Sequence, residues 1–167
     1  LTNKLFPFPE HKITEILGSV ENMLTCKEAV TTLQVMFKEF YDKSFGRLIP
    51  VRAEVVVGDV EWGVTGMIDQ LFYNEKSKKL EIWDWKTNKA IKDKNKWQQF
   101  KEPLSHLDVC ELNTYSLQLS FYKLIVERNT ELQLGDNYIV WFNENNDTYK
   151  IIKCYDFSEE ILKIMKK

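Results

Sequence analysis

The sequence predicts an α/β fold in which a mixed central β-sheet is flanked by helices. Three observations support this. Apolar residues recur at helical spacing over residues 26–45, three consecutive segments with strand character occupy residues 51–87, and a second helical pattern over residues 112–128 precedes two further strand-like segments. Such alternation is typical of a sheet covered by helices. The expected order is helix, three strands, helix, two strands, helix.

The first third of the chain is expected to be mainly helical. Residues 1–12 carry no periodic pattern, and residues 13–24 are predicted to form a short helix. The longer helix over residues 26–45 presents apolar residues at a spacing of three to four, namely Val30, Leu33, Met36, Phe37, Phe40 and Tyr41. This stripe is typical of core packing.

Three strands follow this helix. In the first strand, residues 51–60, apolar residues recur at alternate positions and Glu54 belongs to the intervening set. The carboxylate of Glu54 should therefore lie opposite the apolar face. The second strand, residues 63–73, and the third, residues 80–87, are joined by the polar turn 74–79. Two such strands with a short polar turn predict a hairpin.

The last elements are a helix, a hairpin and a final helix. In the helix over residues 112–128, Gln118 and Tyr122 are four residues apart and therefore share a face. Residues 137–143 and 148–157 predict a second hairpin around a turn-rich segment. Ser158 is expected to cap the final helix.

Two carboxylates and a lysine are predicted to lie on adjacent strands. Asp69 falls within the second strand, whereas Asp84 and Lys86 lie near the end of the third and share a face. Hard cations such as Mg²⁺ take oxygen ligands, so Asp69, Asp84 and the Trp85 carbonyl could hold one against a phosphate oxygen. Lys86 could orient water or stabilise developing charge. The pattern predicts phosphodiester hydrolysis.

Each of these features also has a structural interpretation. An Asp-x-Lys triplet in a chain with 29% charged residues is often a solvated pair. Glu54 could be an ordinary exposed strand residue, and Gln118 with Tyr122 could simply pack against the sheet. The order of the features along the chain favours function.

That order resembles a known family. Glu54, Gly66-Met67-Ile68-Asp69, Asp84-Trp85-Lys86-Thr87 and Gln118-Leu119-Ser120-Phe121-Tyr122 resemble the motifs of the PD-(D/E)XK nucleases, specifically the RecB-like exonuclease branch. The resemblance runs from about residue 50 to about residue 125. It implies the restriction-endonuclease-like αβββαβ core.

The resemblance implies roles for the acidic residues and the lysine. Asp69 and Asp84 would be the metal carboxylates for Mg²⁺ or Mn²⁺, with the Trp85 backbone carbonyl as a further ligand. Glu54 would bind a metal directly or through water. Lys86 would be the catalytic lysine.

Further residues are predicted to bind nucleic acid. The resemblance implies that Gln118 and Tyr122 touch the substrate near the scissile phosphate, and Thr87 continues the family's Asp-x-Lys-Thr pattern. Between residues 86 and 101, Asp93 is the only acid among six lysines, which are Lys86, Lys89, Lys92, Lys94, Lys96 and Lys101. This run could follow a phosphate backbone, with Trp97 available to stack on a base. A solvated loop is the alternative.

Two departures from the family's pattern concern metal ligands. Many RecB-like nucleases carry a metal-ligating histidine on a helix before the acidic residue, whereas His11 here follows a Pro-containing opening and is expected in a loop. The chain begins with Leu1, so such a histidine could lie upstream. Cys26, Cys110 and Cys154 are widely spaced and cannot build the four-cysteine iron–sulfur cluster of some relatives, so no iron–sulfur cluster is expected.

Size and composition predict one soluble domain over residues 1–167, and the resemblance implies a nuclease domain with its motif core at about residues 27–157. The 167 residues are 44% hydrophobic, and no apolar run is long enough to span a bilayer. No membrane partner is expected, and the isolated cysteines favour a reducing, cytoplasmic location in a bacterium or a phage-infected host. The net charge of −2 gives no general sign of a polyanion binder.

The sequence is therefore interpreted as a Mg²⁺- or Mn²⁺-dependent DNA exonuclease acting on single-stranded or duplex ends in replication, recombination or repair. One alternative is a non-catalytic nucleic-acid-binding or assembly module with the same fold. Another is an RNA-directed nuclease. An oligomer is possible, although no interface can be recognised in the sequence.

Overall fold

The computed structural model describes the backbone of residues 20–165, with the side chains of residue 28 and of residues 30–165. The expectations for residues 1–19, including the loop position of His11, lie outside this range. The described elements, in chain order, are α1 (Val20–Ser44), β1 (Leu48–Asp59), β2 (Val64–Asn74), β3 (Lys79–Lys86), α2 (Glu111–Asn129), β4 (Leu134–Trp141), β5 (Lys150–Lys153) and α3 (Ser158–Met165).

The strands form one five-stranded sheet in the order β1-β2-β3-β4-β5. Neighbouring strands are antiparallel except β3 and β4, which are parallel and are connected through α2. A parallel pair needs such a crossover connection. The predicted α/β class with a mixed sheet and helices is confirmed, and the order from α1 to β4 is the αβββαβ order that the resemblance implies.

Helices cover both faces of the sheet. One cluster joins α1 to the sheet and contains Met36, Phe40, Phe72, Trp83, Val140 and Phe142. The other joins α2 to the opposite face and contains Ile68, Ile82, Leu112, Leu119, Ile125 and Ile139. Consecutive residues of β3 and of β4 enter different clusters because side chains alternate along a strand. Burial on both faces is typical of strands that pair in parallel.

The predicted helix boundary near residue 25 is wrong. The backbone is helical without interruption from Val20 to Ser44. The chain contains no Gly or Pro between residues 20 and 44 that would break the helix. The helix ends at Ser44, one residue before the predicted end at residue 45. Gly46 follows with a φ of 78°, which is favourable only for glycine and stops the helix.

The last predicted strand is too long. It was expected over residues 148–157, whereas β5 ends at Lys153. Beyond it, the backbone N–H groups of Tyr155 and Phe157 donate to the hydroxyls of Ser116 and Ser120 on α2, at 3.1 and 3.0 Å. These buried serines draw the chain away from the sheet.

The start of α3 also differs from the expectation that Ser158 caps it. Ser158 is the first residue of the helix, and its N–H and hydroxyl both donate to the carboxylate of Asp156. The Phe157 carbonyl accepts the first helical hydrogen bond, from Ile161. The acceptor side chain at this terminus is therefore Asp156.

Two further findings bear on the sequence expectations. Over residues 20–165, no helix is both long enough and apolar enough to cross a bilayer. Cys110 and Cys154 are buried free thiols. Burial raises the pKa of the Cys154 thiol to about 12, so the thiol stays protonated at neutral pH.

Candidate active site

Asp84 and Lys86 lie near the end of β3, on the face that α2 covers. The Nζ of Lys86 contacts Oδ2 of Asp84 and lies over the ring of Tyr115 on α2. Trp85, between them, points to the other face, where its ring meets Phe40 of α1. The predicted common face of Asp84 and Lys86 follows from strand geometry.

Asp69 lies at an irregularity in β2. Ile68 and Leu71 are three residues apart, yet both pack on the α2 side, whereas Phe72 packs on the α1 side. Regular alternation would place Ile68 and Leu71 on opposite faces. The alternation of side chains between the two faces of the sheet is therefore interrupted between residues 68 and 71. Asp69 lies in this irregular stretch.

The carboxylate of Asp69 is attached directly to β3. The hydrogen-bonded ladder between β2 and β3 reaches only Gln70 and Trp83. Beyond the ladder, Oδ2 of Asp69 accepts the backbone N–H of Trp85 at 3.0 Å. The side chain of Asp69 thus takes the place of a strand partner, and it lies next to the residues that flank Trp85.

Asp84 has an unusual electrostatic environment. Its side chain is 4% exposed. Burial raises the pKa of its carboxyl above the usual value, the nearby Lys86 ammonium opposes this rise, and the charge of Asp69 adds to it. Among the described residues, no hydrogen bond of ordinary geometry reaches Oδ2 of Asp84, although the ammonium of Lys86 contacts it.

The backbone of Trp85 faces the Asp69 side of β3. The carbonyl of Lys86 accepts the N–H of Phe142, just beyond β4, at 2.8 Å. Backbone groups of consecutive strand residues face opposite neighbours. The Trp85 carbonyl, like the Trp85 N–H, is therefore on the side of β2, consistent with the ligand role that the sequence predicts.

Glu54 is exposed on β1, with a φ of 50°. In the β1–β2 register it falls opposite Asp69, between the pairs Ala53–Gln70 and Val55–Ile68. A non-glycine residue with this φ costs roughly 1–3 kcal/mol. Among the described residues, no group of three or more His, Cys, Asp or Glu could hold a metal ion, so Glu54 does not form such a group with Asp69 and Asp84.

The predicted Gln118–Tyr122 pair is present on α2, and it explains Gly66. The Nε2 of Gln118 donates to the Tyr122 hydroxyl at 3.0 Å. A Cβ placed on Gly66 would lie 2.3 Å from Cε1 of Tyr122. Only glycine allows the Tyr122 ring to approach β2 this closely, so the Gly-x-x-Asp and Gln-x-x-x-Tyr segments are packed against each other.

Tyr115 belongs to the site but was not predicted to. Its ring centroid lies 4.6 Å from Nζ of Lys86, and its hydroxyl donates to Oδ1 of Asn88 at 2.9 Å. Tyr115, Gln118 and Tyr122 follow the spacing i, i+3, i+7 of one helix face. Extending the Gln118–Tyr122 pattern back by one turn would have found it.

The lysine-rich segment after β3 is attached to the body of the protein. The carbonyl of Asn88 accepts hydrogen bonds from the side chains of Trp141 and Asn143, both at 2.7 Å. The side chain of Asn143 also donates to the Lys89 carbonyl at 3.0 Å. The side chains of the lysines are exposed at Lys89, Lys92, Lys94 and Lys96.

Thr87 lies apart from the Asp84–Lys86 face. It lines an apolar groove together with Phe37, Trp85 and Phe142, on the α1 side of the sheet. This placement follows from alternation, since Thr87 and Trp85 are two residues apart. The nucleic-acid contact predicted for Thr87 therefore has no support from its position.

The donor set suits a hard divalent cation. Mg²⁺ usually binds through one or two carboxylates and completes its shell with water and substrate phosphate, so three protein carboxylates are not required. Asp69 and Asp84 supply two, and Oδ2 of Asp84 is buried with the Lys86 ammonium as its charged neighbour. Asp69, Asp84 and the Trp85 carbonyl thus fit such an ion.

Comparison with known proteins gives one family. A family model described as the PD-(D/E)XK nuclease superfamily matches residues 7–163. The search of curated proteins finds no match. The matched range includes Asp69, Asp84, Lys86 and the Gln118–Tyr122 pair.

Proposed function

Because the matching family model covers nearly the whole chain, the chain belongs to the PD-(D/E)XK nuclease superfamily, and we propose that it hydrolyses phosphodiester bonds in DNA with Mg²⁺ or Mn²⁺. One observation supports this most strongly. Asp69, Asp84 and Lys86 meet at the end of β3, where a buried Asp84 oxygen faces the Lys86 ammonium. A protein rarely buries such a group of charges without a use for it.

In this proposal, Asp69, Asp84 and the Trp85 carbonyl hold the cation. When bound, a divalent cation polarises the phosphoryl group and lowers the pKa of water. The ammonium of Lys86 has three N–H donors on a mostly buried side chain. It orients the attacking water and stabilises the charge that develops on the phosphate oxygens.

Gln118 and Tyr122 are proposed to contact the substrate. The Tyr122 hydroxyl accepts a hydrogen bond from Gln118 and therefore keeps its own O–H free to donate. Gly66 brings this ring against β2, the strand that carries Asp69. A phosphate oxygen beside Asp69 is a suitable acceptor.

The finer assignment is an exonuclease of the RecB-like branch that acts in DNA replication, recombination or repair. The order of the Gly-x-x-Asp, Asp-x-Lys and Gln-x-x-x-Tyr segments supports the branch. The proposal includes a single nuclease domain over residues 1–167 and a cytoplasmic location in a bacterium or phage-infected host.

The test is cleavage of end-labelled DNA, single-stranded and double-stranded, each linear and circular, with Mg²⁺, Mn²⁺ or EDTA. We expect metal-dependent loss of the linear forms only. Lys86→Ala and Asp84→Asn should each lower kcat by about 100-fold or more, because the first removes the ammonium that stabilises developing charge and the second removes the charge of a carboxylate that holds the cation. Lys86→Met keeps the apolar stem and should be equally inactive.

Lys76→Ala, in the turn between β2 and β3, is the matched lysine control and should cut like the wild type. Circular dichroism and thermal unfolding of each variant separate loss of chemistry from loss of folding. Cleavage by Lys86→Met at the wild-type rate would contradict the assignment. The same reactions with a single-stranded RNA oligonucleotide, and an anisotropy titration with DNA, complete the test. Binding of DNA without any cleavage would favour the non-catalytic module, and cleavage of RNA alone would favour the RNA-directed nuclease.

A further inference from the structure

A cavity of about 490 Å³ lies between the segment that follows β3 and the beginning of α2. Its volume falls within the range of pockets that hold small ligands, about 300–1,000 Å³. The segment contributes Lys92, Lys94, Lys96 and Trp97, and α2 contributes Thr114 and Tyr115. Cationic and aromatic groups therefore share one concave surface.

The charge of this cavity is suited to phosphate. Among the described residues, no acidic side chain forms an ion pair with Lys92, Lys94 or Lys96. Of the residues that line the cavity, Glu111 is the only acid, and its carboxylate accepts the backbone N–H of Lys92 at 3.2 Å. Three ammonium groups thus remain available to an anionic ligand.

The aromatic group is unusually accessible. The side chain of Trp97 belongs to a residue that is 96% exposed. Its backbone is nevertheless fixed, because its N–H donates to Oδ1 of Asn95 at 3.1 Å, and the Asn95 amide donates to the Val109 carbonyl at 2.8 Å. A base can therefore stack on this ring without first ordering the segment.

The cavity adjoins the active site through a shared side chain. Tyr115 lines the cavity and also lies under Nζ of Lys86, 4.6 Å from its ring centroid. A strand whose phosphate reaches Lys86 therefore passes the cavity within a short distance. Lysines, an open indole and this continuity with Lys86 together suit a polynucleotide, which carries both phosphates and bases.

Resting on the proposed nuclease function, we infer that this cavity is a subsite for an unpaired nucleotide of the DNA substrate, with its base on Trp97 and its phosphates on the lysines. Inside a duplex, both faces of a base are covered by its neighbours, and at a blunt end only the outer face of the terminal pair is free while its bases are held by pairing. An unpaired base can turn out of its strand and present a free face to the indole ring while its phosphates reach the lysines. The subsite thus makes the protein prefer single-stranded ends over blunt ends.

The experiment is fluorescence anisotropy with a labelled single-stranded oligonucleotide and with a blunt duplex of the same sequence, both in EDTA so that no strand is cut. Wild type should bind the single strand more tightly. Trp97→Ala should weaken single-strand binding by about 5- to 150-fold, the range expected for one stacked base. Its duplex binding should change less than about twofold.

Two control variants sharpen the result. Trp97→Phe keeps an aromatic face and should retain most of the affinity for single strands. Phe45→Ala removes another ring that is 79% exposed, but at the end of α1 and outside the cavity, and should bind like the wild type. Any of three results would overturn the subsite. The wild type could bind both DNAs with equal affinity, Trp97→Ala could bind the single strand as tightly as the wild type, or Trp97→Ala could lose the same affinity for both DNAs.

A parallel cleavage assay with Mg²⁺ separates this inference from the proposed function. If the wild type and Trp97→Ala both cleave DNA with the same preference for single strands, the proposed nuclease function is supported and the subsite is contradicted. If single-strand binding depends on Trp97 but no DNA is cleaved with either Mg²⁺ or Mn²⁺, the subsite is supported and the proposed nuclease function is contradicted.

Discussion

The ammonium group of Lys86 has two neighbours that fix its position. One is the buried carboxylate of Asp84, and the other is the ring of Tyr115, 4.6 Å away at its centroid. The ring is itself held by the hydrogen bond from its hydroxyl to Asn88. Because the face of an aromatic ring attracts cations, Tyr115 acts through Lys86 as a positioning residue.

Replacing Tyr115 should therefore affect turnover according to whether the ring remains. Tyr115→Phe keeps the face under Lys86 and should keep kcat within about threefold of the wild type. Tyr115→Leu removes an interaction of about 0.5–2 kcal/mol and should lower kcat by about 2- to 30-fold. Steady-state kinetics on a single-stranded oligonucleotide give kcat and KM separately.

The comparison between the two variants is the decisive measurement. The Phe variant should restore most of the kcat that the Leu variant loses, since only the Leu variant lacks the aromatic face under the Lys86 ammonium. A Leu variant with the kcat of the Phe variant would show that Tyr115 has only a packing role.

At the scale of elements, the turn between β1 and β2 attaches the hairpin to the end of α2. Asp59 accepts the N–H of Trp62 at 2.9 Å and hydrogen bonds from Arg128 and Asn129 of α2. The Trp62 ring is covered by the Arg128 guanidinium at 4.2 Å and stacks on Phe121. This attachment fixes the position of β2 relative to α2, so that Gly66 on β2 stays against the ring of Tyr122 on α2.

Asp59 should make stability depend on pH. Its hydrogen bond from the Trp62 N–H, with those from Asn129 and Arg128, holds the pKa of Asp59 below its usual value. The stabilisation is therefore complete above the unfolded pKa of about 3.9 and is lost as pH falls through the folded pKa. Asp59→Asn should unfold at lower urea than wild type at pH 7, and the difference should shrink towards pH 3.

Glu61→Gln is the control for this prediction. Glu61 also pairs with Arg128, at 2.8 Å, but its side chain is 80% exposed. Exposed pairs contribute little, so its urea midpoint should stay close to that of the wild type at both pH values. An Asp59→Asn deficit that is equal at pH 7 and pH 3 would mean that the effect does not come from the charge.

The elements also show how far local patterns determine this fold. Strand alternation and helical spacing predicted α2, the β2–β3 hairpin and the end of α1 to within a few residues, because these signals are local. The end of β5 depends on Ser116 and Ser120, more than 30 residues away in sequence, which bind Tyr155 and Phe157. No local pattern contains that information.

For the site, strand patterns predicted that Asp69, Asp84 and Lys86 lie close together but not how they meet. Asp84 and Lys86 share a face by simple alternation, whereas Asp69 reaches them only because β2 changes its facing after Ile68. The close contact between Gly66 and Tyr122 and the place of Tyr115 under Lys86 require the packed helix. Thr87 matched a motif, yet alternation directs it to the other face.

At the scale of the whole molecule, the net charge of −2 opposes binding to a polyanion, so affinity for DNA must come from local charge. In the proposed subsite, the exposed lysines of the cavity, Lys92, Lys94 and Lys96, would provide it. Each single-strand phosphate that is neutralised contributes about 0.7 to the salt dependence of binding. Three contacts therefore give a slope of about 2 in a plot of log Kd against log salt concentration.

The triple variant with Lys92, Lys94 and Lys96 changed to Ala should lower this slope by about 2 and weaken single-strand binding. A second triple variant with Lys38, Lys76 and Lys163 changed to Ala has the same net charge, because −2 − 3 gives about −5 in both cases. Since those three lysines lie outside the cavity, its slope should match that of the wild type. Anisotropy titrations over a range of KCl concentrations measure all three slopes. An equal decrease in both triple variants would mean that total charge, rather than the lysines beside Trp97, determines binding.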